Sequence, residues 1–267
     1  LDGDGLDVQG NYDGSNSTVQ FIADGDLDGR DAADLSTGAF NISADLISDD
    51  VTSYTFSMWL KPSSFPTSGY HYIITDHAHA QNDDSIFIAV NSAGQIGIQH
   101  RGEPNALGNH PRDTKFFGAA GAELTIGTWS HIAITWDGTD ASSSNWEASL
   151  YKDSVHMQTV SLTQDPWDSP HPLFAGYENL GGGDTYHGYQ GLMANLNFWD
   201  EQVLTGAEVQ QVYNDESLVS SSSNSNETNN IGDNNMFDIN KLAPGVSGGV
   251  RAVIDNDQIG SMEKKKQ

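Results

Sequence analysis

Between residues 24 and 35 the run DGDLDGRDAADL sets Asp24, Asp26, Asp28 and Gly29 at the first, third, fifth and sixth positions of an EF-hand-type calcium loop. In such a loop short carboxylates converge on one cation and the glycine permits a sharp turn. The closing bidentate acid is missing, because the twelfth position is Leu35, and Asp31 and Asp34 fall at the eighth and eleventh. The spacing predicts a weak, extracellular-type calcium site held by Asp24, Asp26, Asp28, Asp31 and Asp34, with calcium as a structural cofactor, set against a solvated acidic turn. LDGDGLD at the start repeats the theme through Asp2, Asp4 and Asp7.

Two other groups have the chemistry of a site. DHAHAQNDDS places His77 and His79 two apart beside Asp76, Asp83 and Asp84, a composition shared by transition-metal sites and by exposed inter-strand loops. The second group lies in the Gly/Asp/Ser/Pro-rich stretches SSSNWE, DPWDSPHP and GYENLGGGDTYHGYQG. A neutral sugar needs a flat ring to stack on its C–H face and short polar groups to fix its hydroxyls. Trp146, Trp167, Tyr177, Asp184, Tyr186, His187 and Tyr189 are therefore the expected ligand-binding residues, the alternative being that these aromatics cap the ends of the domain. No Gly-x-Ser-x-Gly, P-loop or dinucleotide fingerprint occurs, so hydrolase, nucleotidase and redox readings lack support.

Charge narrows the partners. The formal net charge is −26 over 267 residues, which repels nucleic-acid phosphates and the anionic face of a membrane. No apolar run is long enough to insert into a bilayer. Neutral glycans, cations and proteins are left as partners. The acids are mostly aspartate, with twelve Asp and no Glu among the first 50 residues, a bias toward turns and loops rather than helices. The chain has no cysteine, which excludes disulfides and leaves the redox compartment open. It begins at Leu1, as a processed product or a piece of a longer chain would.

The elements that must position these residues read as strands. In SYTFSMWLKP, Tyr54, Phe56, Met58 and Leu60 share one face and Thr55, Ser57, Trp59 and Lys61 the other, and Pro62 ends the run. SIFIAVNSAGQIGIQHRG reads as a hairpin of 86–90 and 95–100 around Asn91 and Gly94. TWSHIAITWDGT, EASLYKDSVHMQTVSL with its turn at Asp153 and Ser154, and GLMANLNFWD add further strands. The tryptophans on these runs, Trp59, Trp129, Trp136 and Trp199, are expected in the core. One short helix is predicted in LTGAEVQQVYND, where Thr205 and Glu208 have capping-box spacing. The expected organisation is an Asp/Gly-rich segment 1–34, a β-sandwich 35–216, a Ser/Asn-rich linker 217–235, and a tail or docking segment 236–267 that holds five of the eleven basic residues.

Taken in order, YTFSMWLKP, GTWSHIAITWDGT, SLYKDSVHMQ and YQGLMANLNFWDEQVLTGAEVQQVY resemble the laminin-G-like, concanavalin A-like jelly roll over roughly 36–215. The resemblance implies an all-β fold of two stacked antiparallel sheets with one short C-terminal helix, and a structural role for His131 in the Trp-x-His motif. Two positions depart from the pattern: the hairpin glycine is Ser154, and the acidic pair of the last long strand, near which members often hold calcium, is Ala194 and Asn195. Enzymatic relatives such as the β-glucanases carry a Glu-x-Asp-x-x-Glu strand, and no such triplet occurs here. The resemblance thus implies a non-enzymatic recognition or adhesion module binding carbohydrate or a surface protein, extracellular, cell-surface or on a virion. The alternatives are a decoration subunit that contacts neighbouring or identical subunits through its tails, and a divergent glycoside hydrolase.

Overall fold

The computed structural model describes residues 15–16, 19–24, 31–42, 51–76, 85–103, 110–139, 146–166, 173–176 and 187–216. Each of these stretches contributes at least one strand, the longer ones built on alternating apolar residues. In chain order they are β1 (Ser15–Asn16), β2 (Gln20–Ala23), β3 (Asp31–Asp34), β4 (Phe40–Ile42), β5 (Ser53–Pro62), β6 (Tyr70–Thr75), β7 (Ile86–Asn91) and β8 (Ile96–Arg101). They continue as β9 (Arg112–Phe116), β10 (Ser130–Asp137), β11 (Trp146–Lys152), β12 (Val155–Leu162), β13 (Leu173–Ala175), β14 (His187–Gly188) and β15 (Gly191–Asp200), before helix α1 (Gly206–Asp215). Among the described residues one sheet runs β1-β4-β13-β6-β7-β8-β9, with β14 parallel beside β6, and the other runs β12-β11-β10-β5-β15-β3-β2. The remaining pairs are antiparallel, and the two sheets stack as a concanavalin A-like jelly roll.

The inner faces interdigitate. Tyr54, Phe56, Met58 and Leu60 of β5 and Ile132, Ile134 and Trp136 of β10 meet Ile86, Ile88 and Val90 of β7 and Ile96 and Ile98 of β8 in one core. Each such side chain contributes about 1.5–3 kcal/mol by leaving water. The other face of β5 is closed too. Helix α1 is nucleated by the anticipated capping box between Thr205 and Glu208, and its Val209 and Val212 pack with Ala133, Trp199 and Leu204. Trp59 packs with Ala32, Ala194 and Tyr213. Trp59 and Trp199 therefore belong to small cores beneath the helix, while Trp136 belongs to the main core.

The jelly roll starts before residue 35. Strands β1, β2 and β3 lie within the expected leader 1–34, yet β1 pairs with β4 and β3 pairs with β15. A boundary drawn by composition missed this because β3, DAAD, offers only two small apolar residues, Ala32 and Ala33, and β1, SN, offers none. The segments 217–235 and 236–267 lie outside the described residues.

Candidate functional site

Asp31–Asp34 is a strand rather than the second half of a metal loop. In the β2–β3 register Ala23 faces Asp31 and Gln20 faces Asp34, so Asp34 stands three residues, roughly 10 Å, from the end of the strand nearest Asp24. One cation cannot reach both, which removes Asp34 from the set with Asp24. Each of these carboxylates has another partner: Lys61 Nζ lies 2.8 Å from Asp24 Oδ2, and Asp34 Oδ1 accepts from Ser36 N at 3.1 Å and Ser36 Oγ at 2.5 Å. At the calcium position of the family, Ala194 is buried beside Trp59 and Asn195 sits on a β15 bulge with φ 48°. Among the described residues no group of three or more His, Asp or Glu side chains is placed to hold a metal. Asp26, Asp28 and the His77/His79 pair lie outside the described residues.

Of the expected ligand-binding residues, Tyr189 is in the core, with no exposed surface and its hydroxyl without a hydrogen-bond partner. Its backbone N–H donates to Tyr72 O at 2.8 Å, which draws the residue into the sheet instead of leaving it in a loop. Trp146 opens β11 and packs half-buried against the main core. His187 opens β14, whose backbone pairs with His71 and Tyr72 of β6. Trp167, Tyr177, Asp184 and Tyr186 lie outside the described residues.

The described site is on the outer face of the eight-stranded sheet. Since β7 turns Ile86, Ile88 and Val90 into the core, Phe87 and Ala89 face outward, where they pack with Tyr70 and Tyr72. Register extends this into rows. Tyr72, Ala89, Gly97 and Phe116 form one row across β6 to β9; Thr75, Phe87, Gln99 and Thr114 form the next; Arg101 and Arg112 follow on β8 and β9. These rows carry no carboxylate.

Ala89 and Gly97 make a low floor on which rings lie. A Cβ at Gly97 would stand 2.5 Å from Phe116 Cε1, so that ring rests directly on the backbone. Among the described residues Tyr70 meets three other rings, with centroids at 5.5 Å to Tyr72, 5.1 Å to Phe87 and 6.0 Å to Phe116. Tyr72 and Phe87 are buried beneath, whereas Tyr70 and Phe116 keep part of their surface open. Thr114 Oγ1 donates to Gln99 Oε1 at 2.8 Å, which leaves the threonine oxygen free to accept from a ligand hydroxyl.

Beside this face Asp76 ties the end of β6 to the start of β7, its carboxylate accepting from Ser85 N, Ser85 Oγ and Ile86 N at 2.6–3.1 Å. Behind the face, His100 is turned into the core, where burial drops its pKa to about 3. The Tyr70 and Phe116 site went unnoticed in the sequence because apolar residues on both faces of a strand read simply as burial. Its available signal was the paired tyrosines at i and i+2 in YHY, which alternation places on one face.

Residues 13–210 match the family described as the concanavalin A-like lectin/glucanases superfamily. No curated protein matches the sequence. Among solved structures, domain 4 of an extracellular arabinanase from Geobacillus stearothermophilus, in complex with arabinotriose, is similar at TM-score 0.56 and 18% identity, over 79% of this chain and 93% of that one. The binding domain of Paraclostridial Mosquitocidal Protein 1 is similar at TM-score 0.51 and 12% identity, over 77% of this chain and 48% of that one. The receptor-binding domain of botulinum neurotoxin D is similar at TM-score 0.51 and 14% identity, also over 77% and 48%. This chain thus spans about half of each toxin domain, and at these identities the likeness is one of fold.

Proposed function

The chain belongs to the concanavalin A-like lectin/glucanases superfamily, and on that footing we propose that it is a non-catalytic, extracellular carbohydrate-recognition module. Its ligand rests on Tyr70 and Phe116 at the open edge of the eight-stranded sheet. The observation that carries this reading is the pair of part-exposed rings from two different strands, held in contact above the floor made by Ala89 and Gly97. Sugar C–H faces stack on such rings, and Thr114 supplies an acceptor beside them. The arabinotriose complex of the similar arabinanase domain supports the class of ligand. The absence of a carboxylate from the rows favours binding over hydrolysis, which needs two carboxyls at close range.

The proposal keeps the stretch that contains Tyr177, Asp184 and Tyr186 as a contributor, because it leads through His187 into β14, beside Tyr72. It also keeps calcium at the β2–β3 connection, with Asp24, Asp26 and Asp28 as donors and Lys61 as the competitor for Asp24.

A glycan array followed by calorimetry on wild type, Tyr70→Ala and Phe116→Ala tests the reading. The expected result is an oligosaccharide bound by the wild type and weakened about tenfold or more by either change, the size of a binding hot spot. An unchanged affinity in both folded variants, or no glycan bound at all, overturns it, and release of reducing sugar would overturn the non-catalytic part.

A further inference from the structure

We propose that Gln95 sets the specificity of this face, and that the glycan it selects carries an acetamido group, whose carbonyl accepts from the Gln95 side-chain amide while a sugar ring rests on Phe116. The proposal rests on the carbohydrate reading above. Strand alternation places the amide. Since β8 turns Ile96 and Ile98 into the core, Gln95, just ahead of the strand, and Gly97 face outward about 7 Å apart. Gly97 is the floor beneath the Phe116 ring, so Gln95 is the next outward side chain along β8 from that ring. Across the sheet it falls in a row with Asn91, whose backbone N–H donates to Gln95 O at 3.0 Å, and with Tyr70, which pairs with Asn91.

Hydrogen bonds fix which way the amide points. Asn91 Oδ1 accepts from Ala93 N at 2.9 Å and from Gln95 N at 3.1 Å, so its oxygen is committed to the turn and its Nδ2 is left to donate. That Nδ2 donates to Gln95 Oε1 at 2.9 Å, which identifies the Gln95 oxygen and turns Nε2 away from Asn91. Leu124 N donates to Gly94 O at 2.8 Å and anchors the same turn. Gly118 stands opposite Gln95, because Gly97 pairs with Phe116 and Phe117 N donates to Ile96 O at 2.9 Å. It is exposed, and a Cβ there would lie 3.3 Å from Nε2, so a glycine at 118 leaves the amide open to a ligand.

The amide thus presents two N–H donors beside an oxygen already engaged. A sugar hydroxyl that accepts from it brings a proton that needs its own acceptor, whereas a carbonyl brings none. A carboxylate brings none either, but the row of Tyr70, Asn91, Gln95 and Gly118 holds no cation, and a net charge of −26 repels it. The acetamido carbonyl meets the donors, and its methyl group packs against the neighbouring aromatic ring.

Chitotriose and cellotriose, which differ in carrying acetamido or hydroxyl groups at the same ring position, are the probes for calorimetry. The wild type is expected to bind chitotriose about tenfold or more tightly than cellotriose. Gln95→Glu keeps an oxygen for Asn91 and replaces the donors by a second acceptor, so the preference should vanish or invert with the melting temperature retained. A purely structural Gln95 would leave the ratio unchanged. Gly118→Val fills the opening beside Nε2 and should weaken chitotriose more than cellotriose. A wild type without the preference, or a preference that persists in Gln95→Glu or Gly118→Val, overturns this proposal. The carbohydrate reading then stands if Tyr70→Ala weakens whichever glycan is bound, and a wild type that binds no glycan overturns both.

Discussion

The Tyr54 hydroxyl lies 2.6 Å from His100 Nε2 in the buried space between the two sheets. His100 Nδ1 stands 3.1 Å from Gln164 O, which can only accept, so the ring proton is on Nδ1 and Tyr54 donates to Nε2. The imidazole is thereby fully satisfied as a neutral group against the edge of Trp136. Tyr54→Phe leaves a buried acceptor without its donor, and is expected to cost about 1–3 kcal/mol. Denaturant melts read the loss, and an undiminished midpoint would show that the bond contributes nothing net.

Acid should weaken the fold through two histidines. Burial lowers His100 to about 3 and His131 to about 4, while in the unfolded chain both titrate near 6.5. Their full contribution is therefore present above pH 6.5 and is lost as the pH falls, by about 1.4 kcal/mol per pH unit for each histidine until its folded pKa is reached. Relief of self-repulsion among the many carboxylates acts in the opposite direction, so the comparison must be internal. His131 is enclosed by Trp59, Tyr213 and Glu216, the last 3.8 Å away. His131→Gln is expected to flatten the slope of stability between pH 6.5 and 4 by close to one proton. Parallel slopes for wild type and variant would exclude His131 as the titrating group.

The hairpin between β11 and β12 turns through Asp153 at φ 49° and Ser154 at φ 67°, left-handed positions that glycine adopts without strain. Asp153 is retained by its bonds with the His131 backbone, at 2.9 Å to N and 2.8 Å to O. Ser154 has no such role, so Ser154→Gly should relieve about 1–2 kcal/mol of strain and return about 0.5–1 kcal/mol through the freer unfolded chain. The melting temperature should rise slightly; a fall would mean that the serine side chain holds the turn.

Gly97 sets the height of the ring above the sheet. Gly97→Ala drives a methyl to 2.5 Å from Phe116 Cε1 and must displace that ring, which supplies all three of the nearest atoms. Glycan affinity is expected to drop by about tenfold with the fold retained, because β8 and β9 stay paired. Full affinity in the alanine variant would place the ligand elsewhere on the molecule.

Calcium is testable by melting. Chelator should lower the transition temperature, and Asp24→Asn, Asp26→Asn and Asp28→Asn together should remove that response. A transition indifferent to chelator in the wild type identifies the stretch as an acidic hairpin paired to Lys61.

Much of the fold was legible before any coordinates. Alternation in SYTFSMWLKP and SHIAITWD identified the inner faces of β5 and β10, and the Thr205–Glu208 spacing identified the start of α1, because these signals depend on neighbours a few residues apart. The site was far less legible. Tyr70 and Phe116 are 46 residues apart, and nothing local says that β9 will lie two strands from β7 or that Gly97 will be the floor beneath the ring. Tyr189 misled for the matching reason: a glycine-rich approach suggested a loop, yet one backbone bond to Tyr72 pulls it inside.

By itself the sequence determined which residues share a strand face and where turns and the helix cap fall. Only the tertiary structure decided what covers each face and which faces stay open. Period-two alternation is a property of one strand, but the register that brings Arg101 to Arg112 and Gly97 to Phe116 is a property of strand pairs. A recognition surface is built from such pairs, so its chemistry appears only once the sheet has formed.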